Sequence, residues 1–319
     1  MSFGLSRINL PDGGSTREAF GEALAAAGSD ERIVVVDGDV NNSTFTNKFA
    51  SKYPERFFNV GIAESNLVGI AAGLSASGKI PVAASFSIFL LANAFDQIRM
   101  SVAFPNQNVK LVGSHAGISI GEDGPSQMAV EDVALACTLP GFTVIVPADE
   151  ASTKAATRAM LDRDGPTFLR CGRPAVPRIY TDESDFQIGR ANQVREGDDL
   201  TIIANGIMVA MALDAAEGLA QEGVSARVLD MHTVKPVDVE AIEAAANETR
   251  AIVVAEEHLA YGGLGSVVAM VVAERRPTRM AFVDIGDTYA TSGTPDELLT
   301  QYGLTPDAIA DAGRRVLKD

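Results

Sequence analysis

Residues 59–74 read Asn-Val-Gly-Ile-Ala-Glu-Ser-Asn-Leu-Val-Gly-Ile-Ala-Ala-Gly-Leu, and the interpretation of this chain starts from that stretch. Asn59 is a candidate N-cap, because its side chain can accept from the free amides of a first helical turn. Small residues fill most of the remaining positions, so the pattern predicts a helix that is largely buried. The apolar residues that recur at the spacing of one helix face are Leu67, Ile70, Ala71 and Leu74.

Glu64 is the exception in this apolar stretch and has two interpretations. A carboxylate on an apolar helix is costly to desolvate unless it is paired or protonated, which is typical of a functional acid. A glutamate in the first turn of a helix is also favoured by the helix dipole and needs no function if it reaches water. The helix by itself leaves both interpretations open.

The rest of the chain alternates short apolar strands with helices, which predicts parallel sheets covered on both faces. The fold class expected is therefore α/β, with two layered domains and mostly parallel sheets. A turn-rich, polar segment at residues 173–185 separates two such units, so we predict domains at 1–185 and 186–319. Residues 1–15 have turn chemistry and little to pack, and we expect an arm there. The predicted strands are 33–36, 80–83, 85–89, 109–112, 143–146, 167–170, 200–204, 226–229, 251–255 and 280–283.

Composition excludes several classes of protein. The 319 residues suffice for two domains, and 46% hydrophobic with 21% charged residues is typical of a globular chain. No apolar run reaches the length of a membrane span, no signal peptide opens the chain, and Cys137 and Cys171 lack metal or disulfide spacing. The net charge of −16 argues against nucleic acid. We expect a cytoplasmic protein that binds neither membrane nor nucleic acid.

Residues 115–127, His-Ala-Gly-Ile-Ser-Ile-Gly-Glu-Asp-Gly-Pro-Ser-Gln, form the segment richest in functional side chains. They follow a predicted buried strand, and open α/β sheets bind ligands beyond the carboxyl ends of their strands. Glycine allows this backbone to approach a ligand closely. The alternative is an exposed loop that is merely flexible.

Two aromatic residues and three arginines are further candidates. Phe86 and Phe89 are either core residues or a stacking wall for a flat heterocycle. Arg17, Arg170 and Arg173 could bind phosphate, because the planar guanidinium donates two parallel hydrogen bonds. A lone surface arginine is otherwise simply solvated.

Together these segments resemble the C-terminal half of transketolase, over almost the whole chain and in order. The most specific match is the Gly-Glu-Asp-Gly-Pro-Ser-Gln run at residues 121–127. The other matching pieces are 15–17, 38–39 with Ser43, 60–64, 85–86 with Phe89, 173–174, 262–265 and 292–299.

The resemblance implies a thiamine diphosphate site. In that family the glutamate matching Glu64 bonds to a pyrimidine ring nitrogen and favours the imino tautomer, whose imine removes the thiazolium proton. Phe86 and Phe89 match the aromatics that stack on the pyrimidine. Asp39 and Gln127 are assigned to the cofactor with them.

The same resemblance implies a sugar phosphate site. His115 matches a histidine that bonds substrate hydroxyls and assists proton transfer, and Asp123 matches the aspartate that selects the 2-hydroxy stereochemistry of the ketose. Arg17, Ser43 and Arg173 match the groups that hold the phosphate. The implied reaction moves a two-carbon ketol unit from a ketose phosphate, such as xylulose 5-phosphate, to an aldose phosphate.

The departures from the family indicate a split enzyme. Gly38-Asp39-Val40 breaks the Gly-Asp-Gly motif that holds metal and diphosphate, and Ala92 stands near the place of a third aromatic. We therefore expect no metal ligand in this chain. A complementary N-terminal transketolase subunit should hold Mg²⁺ or Ca²⁺, in an α2β2 assembly that dimerises through this chain.

Three alternatives remain at this point. The β subunit of a 2-oxo acid dehydrogenase has similar length, and a deoxyxylulose phosphate synthase-like enzyme carries a similar Gly-Glu-Asp-Gly-Pro run. A non-catalytic α/β regulatory subunit is the third. The presence of Glu64, His115, Asp123 and Arg173 together argues against it, because a purely structural role needs none of them.

Overall fold

The computed structural model describes residues 2–181 and 186–318 and contains two sheets. Both are built from short apolar segments whose residues are mostly buried, as expected of strands covered on both faces. The strands are β1 (Ile33–Asp37), β2 (Phe57–Asn59), β3 (Ile80–Phe86), β4 (Lys110–Ser114), β5 (Thr143–Ile145), β6 (Thr167–Arg170), β7 (Asn192–Arg195), β8 (Leu200–Ala204), β9 (Ala226–Asp230), β10 (Thr233–Lys235), β11 (Ala251–Ala255) and β12 (Arg279–Val283).

Helices connect the strands and cover the sheets. The α-helices are α1 (Thr16–Ala27), α2 (Asn41–Thr44), α3 (Asn47–Lys52), α4 (Glu64–Ala76), α5 (Phe95–Gln97), α6 (Asp132–Cys137), α7 (Glu150–Asp162), α8 (Met208–Gln221), α9 (Val239–Glu248), α10 (Leu264–Arg275), α11 (Pro295–Gln301) and α12 (Pro306–Lys318). The segment between β3 and β4 is helical but irregular, with π-helical turns at Phe89–Asn93 and Ile98–Ala103 on either side of α5. None of the helices in the described residues is long and apolar enough to cross a bilayer.

The sheets confirm the predicted α/β class with mostly parallel strands. The first has the order β10-β5-β6-β4-β3-β1-β2 and is parallel except for β10. The second has the order β12-β11-β8-β9-β7 and is parallel except for the edge strand β7. The division at residue 185 stays a prediction, and residues 182–185 of the expected linker lie outside the described residues.

Some strands differ from the prediction. The segments predicted separately at 80–83 and 85–89 are one strand, β3, which ends at Phe86. The sequence did not indicate β2, β7 or β10, which stand at the edges of the two sheets. These strands have only three or four residues each, which is too short to show a clear apolar pattern in the sequence.

The start of α4 differs from the prediction. The predicted cap Asn59 ends β2, whereas α4 begins at Glu64 after Ala63, which makes no side-chain cap bond. The Asn59 side chain is used differently: its Nδ2 donates to Asp39 Oδ1 (2.6 Å), and its Oδ1 accepts from the Gly61 amide (2.9 Å). Asn59 therefore braces the turn that leads into the helix.

Helix α4 is also less buried than its composition suggested. Its inner face buries Leu67, Val68, Ala71 and Ala72, which pack in a core cluster with residues of the first sheet. On the outer face Gly69 and Gly73 are exposed, and a Cβ atom at either would meet nothing within 4 Å. The expectation that most of this helix is buried is wrong, because small residues permit close packing without requiring it.

The two units are joined at two places that the sequence did not reveal. Strand β10 follows β7, β8 and β9 of the second sheet along the chain, yet it pairs with β5 of the first sheet. The N-terminal arm packs against the second unit, where Phe3 is buried in the core cluster around α8. The expectation that the arm has little to pack is therefore wrong.

Asp214 of α8 fixes that arm. It is fully buried, and its Oδ1 accepts from the backbone amides of Ser6 (3.0 Å), Arg7 (2.6 Å) and Ile8 (3.0 Å). Its Oδ2 accepts from Arg7 Nη1 (2.9 Å). One carboxylate therefore satisfies three consecutive amides, which a loop laid on a protein surface must otherwise leave to water.

We predict that Asp214→Asn lowers the free energy of unfolding by about 1.5–3 kcal/mol, since the substitution weakens hydrogen bonds to a charged acceptor. Urea unfolding measures this, and amide exchange over residues 5–8 should rise. Asp307→Asn is the matched control, because this mostly exposed carboxylate pairs with the same Arg7. Its effect should stay within about 0.5 kcal/mol. Equal effects of the two variants would contradict the assignment.

Candidate active site

The first sheet brings the candidate residues to one edge. Strands β1, β3, β4 and β6 are neighbours and parallel, so their carboxyl ends lie side by side. Asp39 follows β1, Phe86 ends β3, His115 follows β4 and Arg173 follows β6. Four segments far apart in sequence therefore supply one site, as is usual for open α/β sheets.

Glu64 lies in the first turn of α4 and is 6% exposed. Its Oε1 accepts a hydrogen bond from Ser85 Oγ of β3 (2.8 Å). No other hydrogen bond to this carboxyl group is present among the described residues. A surface cleft of about 400 Å³ opens at Glu64 and is lined also by Ile62, Ala63, Ser65, Asn66 and Asn93. A buried acid with hydrogen-bonding capacity to spare thus borders open space.

Phe86, Phe89 and His115 form a stack of flat rings. The Phe86 and Phe89 centroids are 6.2 Å apart with planes 12° from parallel. The Phe86 and His115 centroids are 4.0 Å apart with planes at 19°. Such near-parallel offset rings present flat faces to a further planar group. The π-helical turn at Phe89 shifts the following residues away from regular helical positions.

His115 is buried and stands in left-handed backbone conformation, with φ +58°. Its Nε2 lies 3.3 Å from Arg17 Nη1, and its Nδ1 lies 2.9 Å from Ser114 Oγ. Because a guanidinium can only donate, Nε2 is the acceptor and Nδ1 carries the proton. Burial above all, and then the positive charges of Arg17 and Arg173, lower the pKa of His115 to about 3. The imidazole is therefore neutral.

Arg17 and Arg173 are held beside each other by backbone carbonyls. Arg17 Nη1 donates to Ser43 O (2.9 Å), and its Nε donates to Arg173 O (3.2 Å). Arg173 Nη1 donates to Ile120 O (2.5 Å) and to Glu122 Oε2 (3.0 Å). Both arginines line a cleft of about 510 Å³. Burial first, and the charge of Arg173 second, lower the pKa of Arg17, so this pair favours an anion.

Several sequence candidates lie apart from this cluster. Arg170 cannot bind phosphate, because it is buried and paired with Asp132 (Nε to Oδ2, 2.8 Å). Asp123 is exposed on the loop, where its negative charge acts on Arg17 from a distance. Gln127 is half-buried and accepts from the neighbouring Ser126 hydroxyl.

Ser43 reaches the cluster through its backbone. Its carbonyl accepts from Arg17, and no hydrogen bond of its hydroxyl is present within residues 2–181 and 186–318. The hydroxyl is therefore open to a ligand, although the structure alone gives it no partner to position it.

The sequence suggested that the glycines of residues 115–127 allow close approach to a ligand. In the structure they pack against the second unit instead. A Cβ on Gly117 would stand 2.1 Å from Glu257 Cδ, and one on Gly121 would stand 2.9 Å from Pro295 Cδ. The glycine-rich segment at residues 262–265, one of the pieces that resemble transketolase, likewise serves the fold. Glu256 fills it by accepting from the backbone amides of residues 264 and 265, both at 2.7 Å.

Sequence reasoning assigned no role to Ser85, Ser114, Glu122 or Glu257, although residues 85 and 122 lie in segments that it singled out. Each contacts a candidate residue or the segment that carries one. The first two follow from strand register, since both serines lie near the carboxyl ends of adjacent parallel strands. Glu257 had no local signal, because its partner lies 138 residues away.

Two family models match this chain, and both describe transketolase domains. The model described as "Transketolase, pyrimidine binding domain" matches residues 12–178, and "Transketolase, C-terminal domain" matches residues 189–309. The two units with mostly parallel sheets therefore correspond to these two transketolase domains. This chain belongs to the transketolase family and is a transketolase-type subunit.

Similar proteins include both half-length and full-length chains. A Methanocaldococcus jannaschii protein, described provisionally as a transketolase C-terminal section, is 41% identical over 95% of each chain. Human transketolase is 40% identical over 95% of this chain but 49% of its own length. A solved structure described as "Split gene transketolase, inactive beta4 tetramer" has TM-score 0.88 and 45% identity, covering 96% of this chain and 99% of that one.

We predict that His115 stays neutral from about pH 5 to pH 9, because burial and two arginines oppose its protonation. NMR of ¹³C-labelled histidine measures this, and His115→Gln assigns the signal among the three histidines. Since the folded-state pKa lies below the ordinary value of 6.5, the stabilising contribution is present above pH 6.5 and is lost as pH falls towards 3. A titration midpoint between 6 and 7 would contradict the burial argument.

Proposed function

We propose that this chain is the subunit of a thiamine diphosphate-dependent transketolase that transfers a two-carbon ketol unit from a ketose phosphate of the xylulose 5-phosphate type to an aldose phosphate. The observation that carries the proposal is the buried Glu64 carboxyl, hydrogen-bonded by Ser85 and open to a cleft. We assign Glu64 its role from the resemblance to the transketolase family.

The residues present fit the pyrimidine end of thiamine diphosphate. When bound, the cofactor supplies the carbon nucleophile of the reaction. Glu64 can hold a proton at a ring nitrogen, because Ser85 occupies only Oε1. Phe86 and Phe89 offer parallel ring faces for stacking. We assign Asp39 and Gln127 to the cofactor side of the site as well.

The arginine cleft fits the phosphate of the sugar. Arg17 and Arg173 are fixed by carbonyls, so they bind an anion with little loss of side-chain entropy. His115 beside them is neutral and can exchange hydrogen bonds with substrate hydroxyls. We place Ser43 in the same phosphate site. We also propose that Asp123 selects the 2-hydroxy stereochemistry of the ketose.

A second chain completes the site in this proposal. It supplies the diphosphate site with Mg²⁺ or Ca²⁺, and the assembly is an α2β2 heterotetramer that dimerises through this chain. Support comes from the half-length relatives and from the similar split-gene structure, which is described as an inactive β4 tetramer. The setting proposed is the pentose phosphate pathway in the cytoplasm, consistent with the free thiols of Cys137 and Cys171.

We predict that the purified chain alone shows no ketol transfer and binds thiamine diphosphate weakly. Transfer from xylulose 5-phosphate to ribose 5-phosphate should appear only after mixing with the complementary chain. A coupled assay across a titration of that partner measures the effect and gives the stoichiometry. Full activity of this chain alone would contradict the two-chain proposal.

We predict that Glu64→Gln slows C2-proton exchange of bound thiamine diphosphate by on the order of 10²–10⁴-fold, with assembly intact. Glutamine keeps the size and the hydrogen bond but has no acidic proton to share. NMR in deuterated buffer measures the exchange in the reconstituted complex. Glu55→Gln, at an exposed glutamate of the same unit, is the control and should exchange at the parent rate. A rate for Glu64→Gln within a few-fold of the parent would remove the assigned role.

A further inference from the structure

Glu257 is a buried acid that the proposed reaction does not use. It is 4% exposed and lies just after β11 of the second sheet. A buried carboxyl needs hydrogen-bond partners to offset its desolvation. The partner of its side chain lies in the loop of the first unit, where the Ser119 amide donates to Oε1 at 2.6 Å.

Gly117 packs closely against the same carboxyl group. A Cβ atom built there would stand 2.1 Å from Cδ and 2.2–2.3 Å from both carboxyl oxygens of Glu257. The backbone of Gly117 also has φ +79°, which L side chains rarely adopt. Two residues of the loop therefore contact Glu257, Ser119 by a hydrogen bond and Gly117 by direct packing.

The position of Glu257 is itself fixed from the first unit. Arg170 Nη2 donates to the backbone carbonyls of Glu257 and Ala129, both at 3.0 Å. Gly117 in turn donates its amide to Ala129 O (2.8 Å). Burial raises the pKa of Glu257 to about 7, while Arg170 opposes that shift. Both the acid and its anion keep an oxygen that accepts from Ser119, so the contact does not require ionisation.

The loop connects this contact to the phosphate arginine. Ser119 lines the 510 Å³ cleft, and the next residue, Ile120, accepts from Arg173 Nη1 at 2.5 Å. We infer that Glu257 is a positioning residue that clamps residues 117–120 and thereby sets the place of Arg173 for phosphorylated substrates. The clamp deepens the function proposed above and, in its effect on substrate, rests on it.

The test compares Glu257→Ala with Glu257→Gln in the reconstituted complex. Alanine removes the acceptor of a strong hydrogen bond that positions a binding group. We therefore expect KM for the phosphorylated donor to rise about tenfold or more, with kcat within about threefold of the parent value. Glutamine keeps an amide oxygen, so it should restore KM to within about threefold of the parent. Equal KM values for parent and Glu257→Ala would overturn the inference.

Glu256→Ala is the matched control. Glu256 is equally buried and adjacent, but its carboxylate accepts from Leu264 and Gly265 within the second unit. This variant should lower Tm without a selective rise in KM. A rise in KM equal to that of Glu257→Ala would show a general stability effect and overturn the clamp. If Glu257→Ala does not fold, Glu257→Asp serves, since the shorter side chain draws the oxygens away from Ser119.

Hydrogen exchange gives a readout that needs no activity. In the chain itself, the amide of Ser119 should exchange at least about tenfold faster in Glu257→Ala than in the parent, and at the parent rate in Glu256→Ala, because only the first variant loses its acceptor. Unchanged exchange at Ser119 would overturn the clamp. Absence of ketol transfer in the parent complex would instead contradict the proposed function, while the exchange result still decides the clamp.

Discussion

The arrangement of four parallel neighbours, β1, β3, β4 and β6, is the constraint on which the rest of the site depends. Parallel pairing aligns their carboxyl ends, so the residues that follow them meet at one edge of the sheet. The contact from Ser85 of β3 to Glu64 extends that edge to the N-terminus of α4. Acid, aromatic rings, histidine and arginine are thus placed by strand order, although they lie far apart in the sequence.

Two arginines lie side by side at the candidate site of this acidic chain. The net charge is −16, yet Arg17 and Arg173 lie together, and backbone carbonyls rather than carboxylates fix most of their donors. Carbonyl dipoles orient Arg17 without neutralising it, whereas Arg173 also forms an ion pair with the exposed Glu122. Positive potential therefore remains available to an anion chiefly at Arg17. The same potential helps to keep His115 neutral, which lets it act as a hydrogen-bonding group beside two cations.

Local signals were sufficient to predict the fold class, the central strands and the sheet edge that carries the site. Apolar runs and their alternation with helices are such signals, and the motif at residues 121–127 is specific to a family. Hydrogen-bond partners were not predictable. Asn59 was expected to cap α4 but braces Asp39, and Arg170 was a candidate for phosphate but pairs with Asp132. Both errors concern long-range hydrogen bonds, which depend on the packed structure and leave no periodic pattern. The glycines of residues 115–127 were expected to allow close approach to a ligand, but the neighbour of Gly117 is Glu257 of the second unit.

The central claim is that the carboxyl edge around Glu64 receives the pyrimidine ring of thiamine diphosphate. A crystal structure of this chain assembled with its complementary chain and the cofactor tests it most directly. We expect a Glu64 carboxyl oxygen within about 3 Å of a pyrimidine ring nitrogen, with the ring against the Phe89 face. A pyrimidine bound elsewhere, or a Glu64 carboxyl that contacts only Ser85 and solvent, would contradict the claim.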